Sequence, residues 1–224
     1  MPDLDQQRDA LRKEVYSALK AFQDSLRTYR QVMQESPSFL INGESPVIPA
    51  ELLSSCKVLP RRENIIEDLP KGGIGVEVGT QTGRFARTLM DAAQPKKLYL
   101  LDINYTPFRR EYVAAELDQG TVVTKEGSSW ELLDEFEDNY FDFAYIDAGH
   151  GYDMVKNDLE AAMRKVKPGG YIVCNDFVVW SAMEAVTYGV HKAVTETIVA
   201  YSCPVTHFAF HPLGYSDIAF TVPE

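Results

Sequence analysis

The chain has little that would commit it to an oxidised, membrane-spanning or nucleic-acid-binding role. Its 224 residues include three cysteines, Cys56, Cys174 and Cys203, an odd number with no CxxC spacing. That excludes a disulfide framework and a cysteine zinc site, and the expected state is reduced thiols in a cytoplasmic protein. No apolar run approaches the roughly 20 residues that cross a bilayer. The start, MPDLDQQRDALRKEV, has no basic stretch followed by an apolar one, so no secretory leader is expected. Basic residues are scarce: 22 Lys and Arg stand against 33 Asp and Glu, a net charge of -11. So acidic a chain lacks the clustered cations that nucleic acid or an anionic membrane requires, which leaves small molecules or a local protein contact as partners.

What is present is an ordinary globular balance, 45% hydrophobic and 25% charged, enough for one large domain with a small appendage. Residues 3 to 35 predict a long helix, with Leu19, Phe22, Leu26, Tyr29 and Met33 alternating at spacings of three and four. Two roles stay open for that stripe: packing on its own domain, or a homodimer contact through the N-terminal helix. Residues 36 to 51, SPSFLINGESPVIPAE, hold three prolines and a glycine that forbid a continuous helix. Phe39, Leu40 and Ile41 make this stretch either a lid over something apolar or a plain connector. The expected division is a helical extension and lid over 1–58, followed by the main domain over 59–224.

From about residue 60 short apolar runs alternate with amphipathic segments. The runs are 74–78, 97–102, 121–124, 142–146 and 171–174, and the predicted helices are 83–93, 107–118, 129–136 and 151–166. Nearly unbroken apolar strands alternating with helices predict a parallel sheet covered on both faces. VTHFAFH and SDIAFTV, joined by PLGY, predict a closing antiparallel hairpin. The expected fold is α/β, a Rossmann-like doubly wound, mostly parallel seven-stranded sheet with that C-terminal hairpin and an N-terminal helical extension. Ligands of such sheets sit beyond the carboxyl ends of the strands. That rule selects Glu77 to Gly83, Asp102, Asp147 to His150, and Asn175 with Asp176.

The first of these ends reads GVEVGTQTGRFA, where Gly79 and Gly83 bracket a tight turn. A dinucleotide loop needs G-x-G-x-x-G, which Gly79, Gln81 and Ala86 do not supply, and Gln81 stands where its second glycine belongs. The pattern E-x-G-x-x-x-G instead resembles the first motif of class I S-adenosylmethionine-dependent methyltransferases. The resemblance implies that Glu77, Gly79, Thr80, Gln81, Thr82 and Gly83 surround the amino-acid part of S-adenosylmethionine, with Glu77 orienting its ammonium. It also implies Asp102 on the ribose hydroxyls, and Gly127, Ser128 and Ser129 of KEGSSWELL at the adenine. Capping of the helix beginning near Trp130 is the alternative for either serine.

The run FDFAYIDAGHGYDMVKNDLEAAMRKVKPGGYIVCNDF is similar to a subgroup of these enzymes, methyltransferase domain 24-like, with Asp-x-x-His-x-Tyr after strand four. The likeness spans about residues 60 to 200. On residue chemistry alone, Asp147 and His150 suit acid–base work, while Asp147, Asn175 and Asp176 are an oxygen-rich set suited to Mg²⁺. The expected activity is methyl transfer to a small molecule, at oxygen rather than nitrogen, with His150 as base, Asp147 beside it also touching the methyl donor, and divalent metal help. A non-catalytic nucleoside-binding protein and an NAD-dependent oxidoreductase are the rivals. Trp130, Tyr152 and Trp180 are either acceptor-pocket walls or core, and His191, His207 and His211 are expected to be surface or satisfied residues.

Overall fold

The computed structural model describes residues 4–33 and 44–224. The chain divides into two units, Met1–Gly43 and Glu44–Glu224. The first carries α1 (Leu4–Met33), with Asp5–Arg8 and Asp24–Arg27 ion pairs at 2.9 and 3.2 Å along its surface. Phe39, Leu40 and Ile41 of the expected lid lie outside the described residues. The second unit takes in residues 44–58, which apolar patterning groups with the helical extension. In it the segment before the sheet is a short 3₁₀ turn, Ala50–Leu53, leading into an edge strand.

Eight strands form the main sheet: β1 (Lys57–Leu59), β2 (Ile74–Val78), β3 (Lys97–Asp102), β4 (Val122–Glu126), β5 (Phe141–Ile146), β6 (Val166–Cys174), β9 (Val205–Phe210) and β10 (Ser216–Thr221). A two-stranded ribbon, β7 (Trp180–Ser181) with β8 (Val186–Thr187), stands apart. The spatial order is β1-β9-β10-β6-β5-β2-β3-β4. Strands β4, β3, β2, β5 and β6 run parallel, while β10 is antiparallel to both β6 and β9. The closing hairpin is as expected. One strand exceeds the expected seven: β1, three residues parallel to β9, is too short to show a pattern of its own.

Period-two alternation sends successive residues of each strand to opposite faces, and both faces are dry. Val76, Val78, Ala144, Ile146, Ile172 and Cys174 pack under α5 (Ser129–Asp134), α6 (Tyr152–Lys165) and α7 (Val190–Tyr201). Leu98, Leu100, Phe143, Tyr145 and Val173 pack under α2 (Arg62–Asp68) and α3 (Arg84–Ala92). The helix expected over 107–118 is broken into a 3₁₀ turn, Arg110–Tyr112, and α4 (Ala114–Asp118). Val113 leaves helical geometry there, at φ -137°, and its side chain is fully buried.

The chain passes from β2 to β3 on one side and later returns to β5 on the other, so strand order reverses between β2 and β5. Gly75 sits at that seam, in register with Phe143, and a Cβ on it would lie 2.1 Å from the Phe143 ring. Strand β2 accepts a glycine because its neighbour's ring occupies the space. Gly75→Ala should therefore lower stability by about 1–3 kcal/mol through overpacking. Urea denaturation measures this, and adding Phe143→Leu should recover part of the loss.

Candidate functional site

Because β2 to β5 are parallel, their carboxyl ends open on one side, and backbone bonds tie the loops beyond them together. Gly79 N–H donates to Leu101 O (2.8 Å), Asp147 N–H to Val78 O (2.7 Å) and Gly127 N–H to Asp102 O (2.9 Å). Between these loops lies a crevice of about 820 Å³, within the usual range for a small-molecule pocket. Glu77, Gly79, Thr80, Gln81, Thr82, Asp102, Gly127, Ser128, Ser129 and Asp147 all line it. Trp130 and Met154 complete one wall.

The glycine turn has a different physical reason from the one its pattern suggests. Gly79, at φ 88°, has no room for a Cβ because the Asp147 carbonyl would be 2.1 Å away, so the turn after β2 is packed on the turn after β5. Gly83, at φ 78°, precedes α3, is not in the crevice wall and has Phe108 where its Cβ would be. Gln81 holds a left-handed φ of 46° without being glycine, a strain of about 1–2 kcal/mol. The Asp102 carboxylate helps to hold it, accepting N–H bonds from Thr80 (2.8 Å), Gln81 (2.7 Å) and Asn104 (2.9 Å).

Glu77 is the most constrained of the group. It is fully buried, and among the described residues its Oε2 has no hydrogen-bond partner. Burial, reinforced by the nearby Asp147 charge and only partly offset by the neighbouring Thr80 hydroxyl and Arg62, pushes its carboxyl well above the usual carboxylate range. Thr80 and Ser128 likewise present buried hydroxyls without a partner among the described residues. Ser128 precedes α5 but its side chain makes no cap bond, and Ser129 donates to the buried Asp158. Ser128 holds the N-cap position by its backbone, but neither serine side chain caps the helix.

Beyond the crevice wall stands a second cluster. His150 Nε2 lies 3.8 Å from Asp147 Oδ1 and 3.6 Å from Asp176 Oδ2, with the imidazole stacked on Tyr188 at 4.2 Å. Burial works against its cation, but the two carboxylates outweigh it and hold the imidazole above its usual 6.5. Burial and the Asp147 charge raise the Asp176 carboxyl, which His150 partly offsets. Asp176 sits at φ 53° and leads toward β7, not into a helix that it could cap. Of this cluster only Asp147 faces the crevice. The metal expectation finds no support: among the described residues no group of three or more His, Cys, Asp or Glu is placed to hold an ion. The imidazole nitrogen lies within 4 Å of both Asp147 and Asp176 carboxylates, and the Asn175 side chain is buried.

Several participants gave no sequence signal. Arg62 lines the crevice, donates to Tyr145 Oη (3.1 Å), lies 3.8 Å from Asp147 and covers the Phe85 ring at 4.4 Å. Tyr145 in turn donates to Asp217 Oδ2 (3.3 Å). Of the aromatic candidates Trp130 reaches the crevice, whereas Tyr152 bonds to Glu196 on α7. His191 stacks on Phe177 and bonds to Ser45, and the buried His207 pairs with Asp68. His211 takes an N–H bond from Leu213.

Residues 76–177 match the family model described as a methyltransferase domain. A search of curated protein sequences finds no match. Among solved structures, an O-methyltransferase family protein from Burkholderia thailandensis is 12% identical with a TM-score of 0.56, covering 72% of this chain. The chain spans only 55% of that protein's length. Precorrin-6y C5,15-methyltransferase from Geobacter metallireducens is 18% identical, with TM-score 0.53 and coverage of 71% and 85%. A chain of the complex between the Haloferax volcanii Trm112 methyltransferase activator and a methyltransferase is 17% identical, with TM-score 0.55 and coverage of 72% and 88%. At these identities the likeness is one of fold. No helix among the described residues is long and apolar enough to cross a membrane.

Burial lifts the Asp217 carboxyl from 3.8 to about 8, with Arg62 opposing and Asp147 reinforcing the rise. Folding therefore takes up a proton between those two values. The contribution is complete below about pH 4 and is lost as pH rises towards 8. Asp217→Asn should flatten the fall of Tm over that window, read by thermal denaturation across pH. A residual slope of the same sign should persist from Glu77 and Asp158, whose carboxyls are also raised.

Proposed function

We propose that this chain, whose residues 76–177 match a methyltransferase-domain family and whose glycine turn resembles that of class I S-adenosylmethionine-dependent methyltransferases, transfers a methyl group from S-adenosylmethionine to a hydroxyl oxygen of a small molecule. The observation that carries this reading is the pairing of Asp147, in the crevice wall, with the carboxylate-flanked imidazole of His150 behind it. The cofactor would supply an electrophilic methyl carbon. The protein's work is then to place donor and acceptor in line and to take the acceptor's proton.

The residues fit that division. The partnerless buried oxygen of Glu77 suits an ammonium, which would replace the missing hydrogen bond and favour the ionised carboxylate. The buried Ser128 hydroxyl, without a partner among the described residues and beside Gly127 in the crevice lining, suits a heterocycle edge. At the opposite wall, Asp147 orients the acceptor hydroxyl, and the proton passes to Nε2 of His150, which two carboxylates make more basic. A small acceptor is favoured over a polyanion by the net charge of -11.

His150→Ala should lower kcat by about 10²–10⁴-fold, the usual worth of a general base, while leaving S-adenosylmethionine affinity nearly intact. Radiolabelled methyl transfer over a panel of hydroxyl acceptors, with calorimetry for affinity, reads both. In the unaltered protein kcat/KM should climb with pH through a midpoint above 6.5, since the base acts when neutral. Unchanged turnover in the variant would remove His150 from the reaction. Cofactor binding without transfer to any acceptor would favour a non-catalytic binding protein.

A further inference from the structure

Glu77, Asp102 and Asp147 are the acidic groups around the inner crevice, with Glu63 exposed at its lining, and Arg62 is the half-buried cation among them. The other lining cation, Arg84, is exposed. Residue 62 lies outside the part of the chain that matches the methyltransferase-domain family. Nothing in α2 announces it.

The placement follows from the sheet. Glu77 and Tyr145 are register partners on adjacent parallel strands, so their side chains emerge side by side on the face that α2 and α3 cover. Tyr145 Oη accepts the 3.1 Å bond from Arg62 and itself donates to Asp217. The Phe85 ring supports the flat face of the guanidinium at 4.4 Å. The cation is thus held beside Glu77 by one hydrogen bond and one stacking contact. A guanidinium has five N–H donors. Its contact with Asp147, at 3.8 Å, is too long for a hydrogen bond.

A buried acid with a partnerless oxygen beside a fixed, under-used guanidinium matches a zwitterion. Resting on the S-adenosylmethionine reading above, we infer that Arg62 receives the carboxylate of the cofactor's amino-acid end while Glu77 receives its ammonium. A planar fork suits a carboxylate, because two parallel N–H bonds set its orientation as well as its position. Tyr145 is a positioning residue in this arrangement. It keeps the guanidinium over Phe85 and short of a hydrogen bond to Asp147, which is left to the acceptor.

The test compares two ligands that differ by one group: S-adenosylmethionine and its decarboxylated form, which keeps the ammonium, sulfonium and adenosine. Calorimetry on the full chain should show Arg62→Gln weakening S-adenosylmethionine by about 10–100-fold, the worth of a charge-assisted bond. The decarboxylated ligand should bind within about twofold of its affinity for the unaltered protein. Arg62→Lys should recover part of the loss, and Tyr145→Phe should show a smaller selective loss. Equal weakening of both ligands by Arg62→Gln, or of neither, would overturn the inference while leaving the methyltransferase reading in place. Failure of the unaltered protein to bind S-adenosylmethionine would overturn that reading and the inference together.

Discussion

A carboxyl group buried at the end of the central strand is the constraint around which this site is built. Glu77 is one of the buried residues of β2, on the seam where strand order reverses, with an oxygen that no described residue satisfies. Leaving a buried polar atom without a partner costs about 1–3 kcal/mol, and ionising it costs more. Much of the rest answers to that position. The Gly79 turn is locked onto the Asp147 turn, Asp102 pins the loop amides, and Arg62 is drawn in through the neighbouring Tyr145. The acid is thereby kept facing a crevice of ligand size and not sealed in the core.

Charge in the crevice is distributed, not summed. Acids predominate, which suits a ligand with sulfonium and ammonium groups, yet the Arg62 guanidinium and the His150 imidazole stand at set distances from the shared Asp147. Arg62 faces one of its oxygens and His150 the other, each at 3.8 Å. On the proposed reading, Asp147 is the joint between the amino-acid end of the crevice and the proton-handling cluster behind its wall. Asp176 at φ 53° and Gln81 at φ 46° both hold left-handed backbone, and strained residues of this kind gather where a fold fixes side chains for function.

Much of this arrangement is legible in the amino-acid sequence. Parallel strands buried on both faces are written as unbroken apolar runs, so their ends show wherever polar residues interrupt, as at Glu77–Gly79, Asp102 and Asp147. Those ends share one crevice because every parallel strand points its carboxyl end the same way. Arg62 is not legible: α2 is only seven residues long, and the meaning of its arginine depends on which sheet face Tyr145 occupies. Asp217 reads as an ordinary alternating residue of the hairpin, since its burial arises from packing that no local pattern records. The expected metal set of Asp147, Asn175 and Asp176 gains no support: Asn175 is buried, and Asp176 stands 3.6 Å from the imidazole.

The account turns on Glu77 meeting a cation, and proton linkage reads that meeting directly. Titrating S-adenosylmethionine into the protein at a series of pH values upward from the usual carboxylate range, in buffers of different ionisation enthalpy, reports the protons exchanged on binding. A carboxyl raised by burial should give up its proton to an incoming ammonium, so the heat should depend on the buffer with the sign of proton release. The dependence should shrink in Glu77→Gln. Binding with no net proton release, or with the same release in Glu77→Gln, would contradict it.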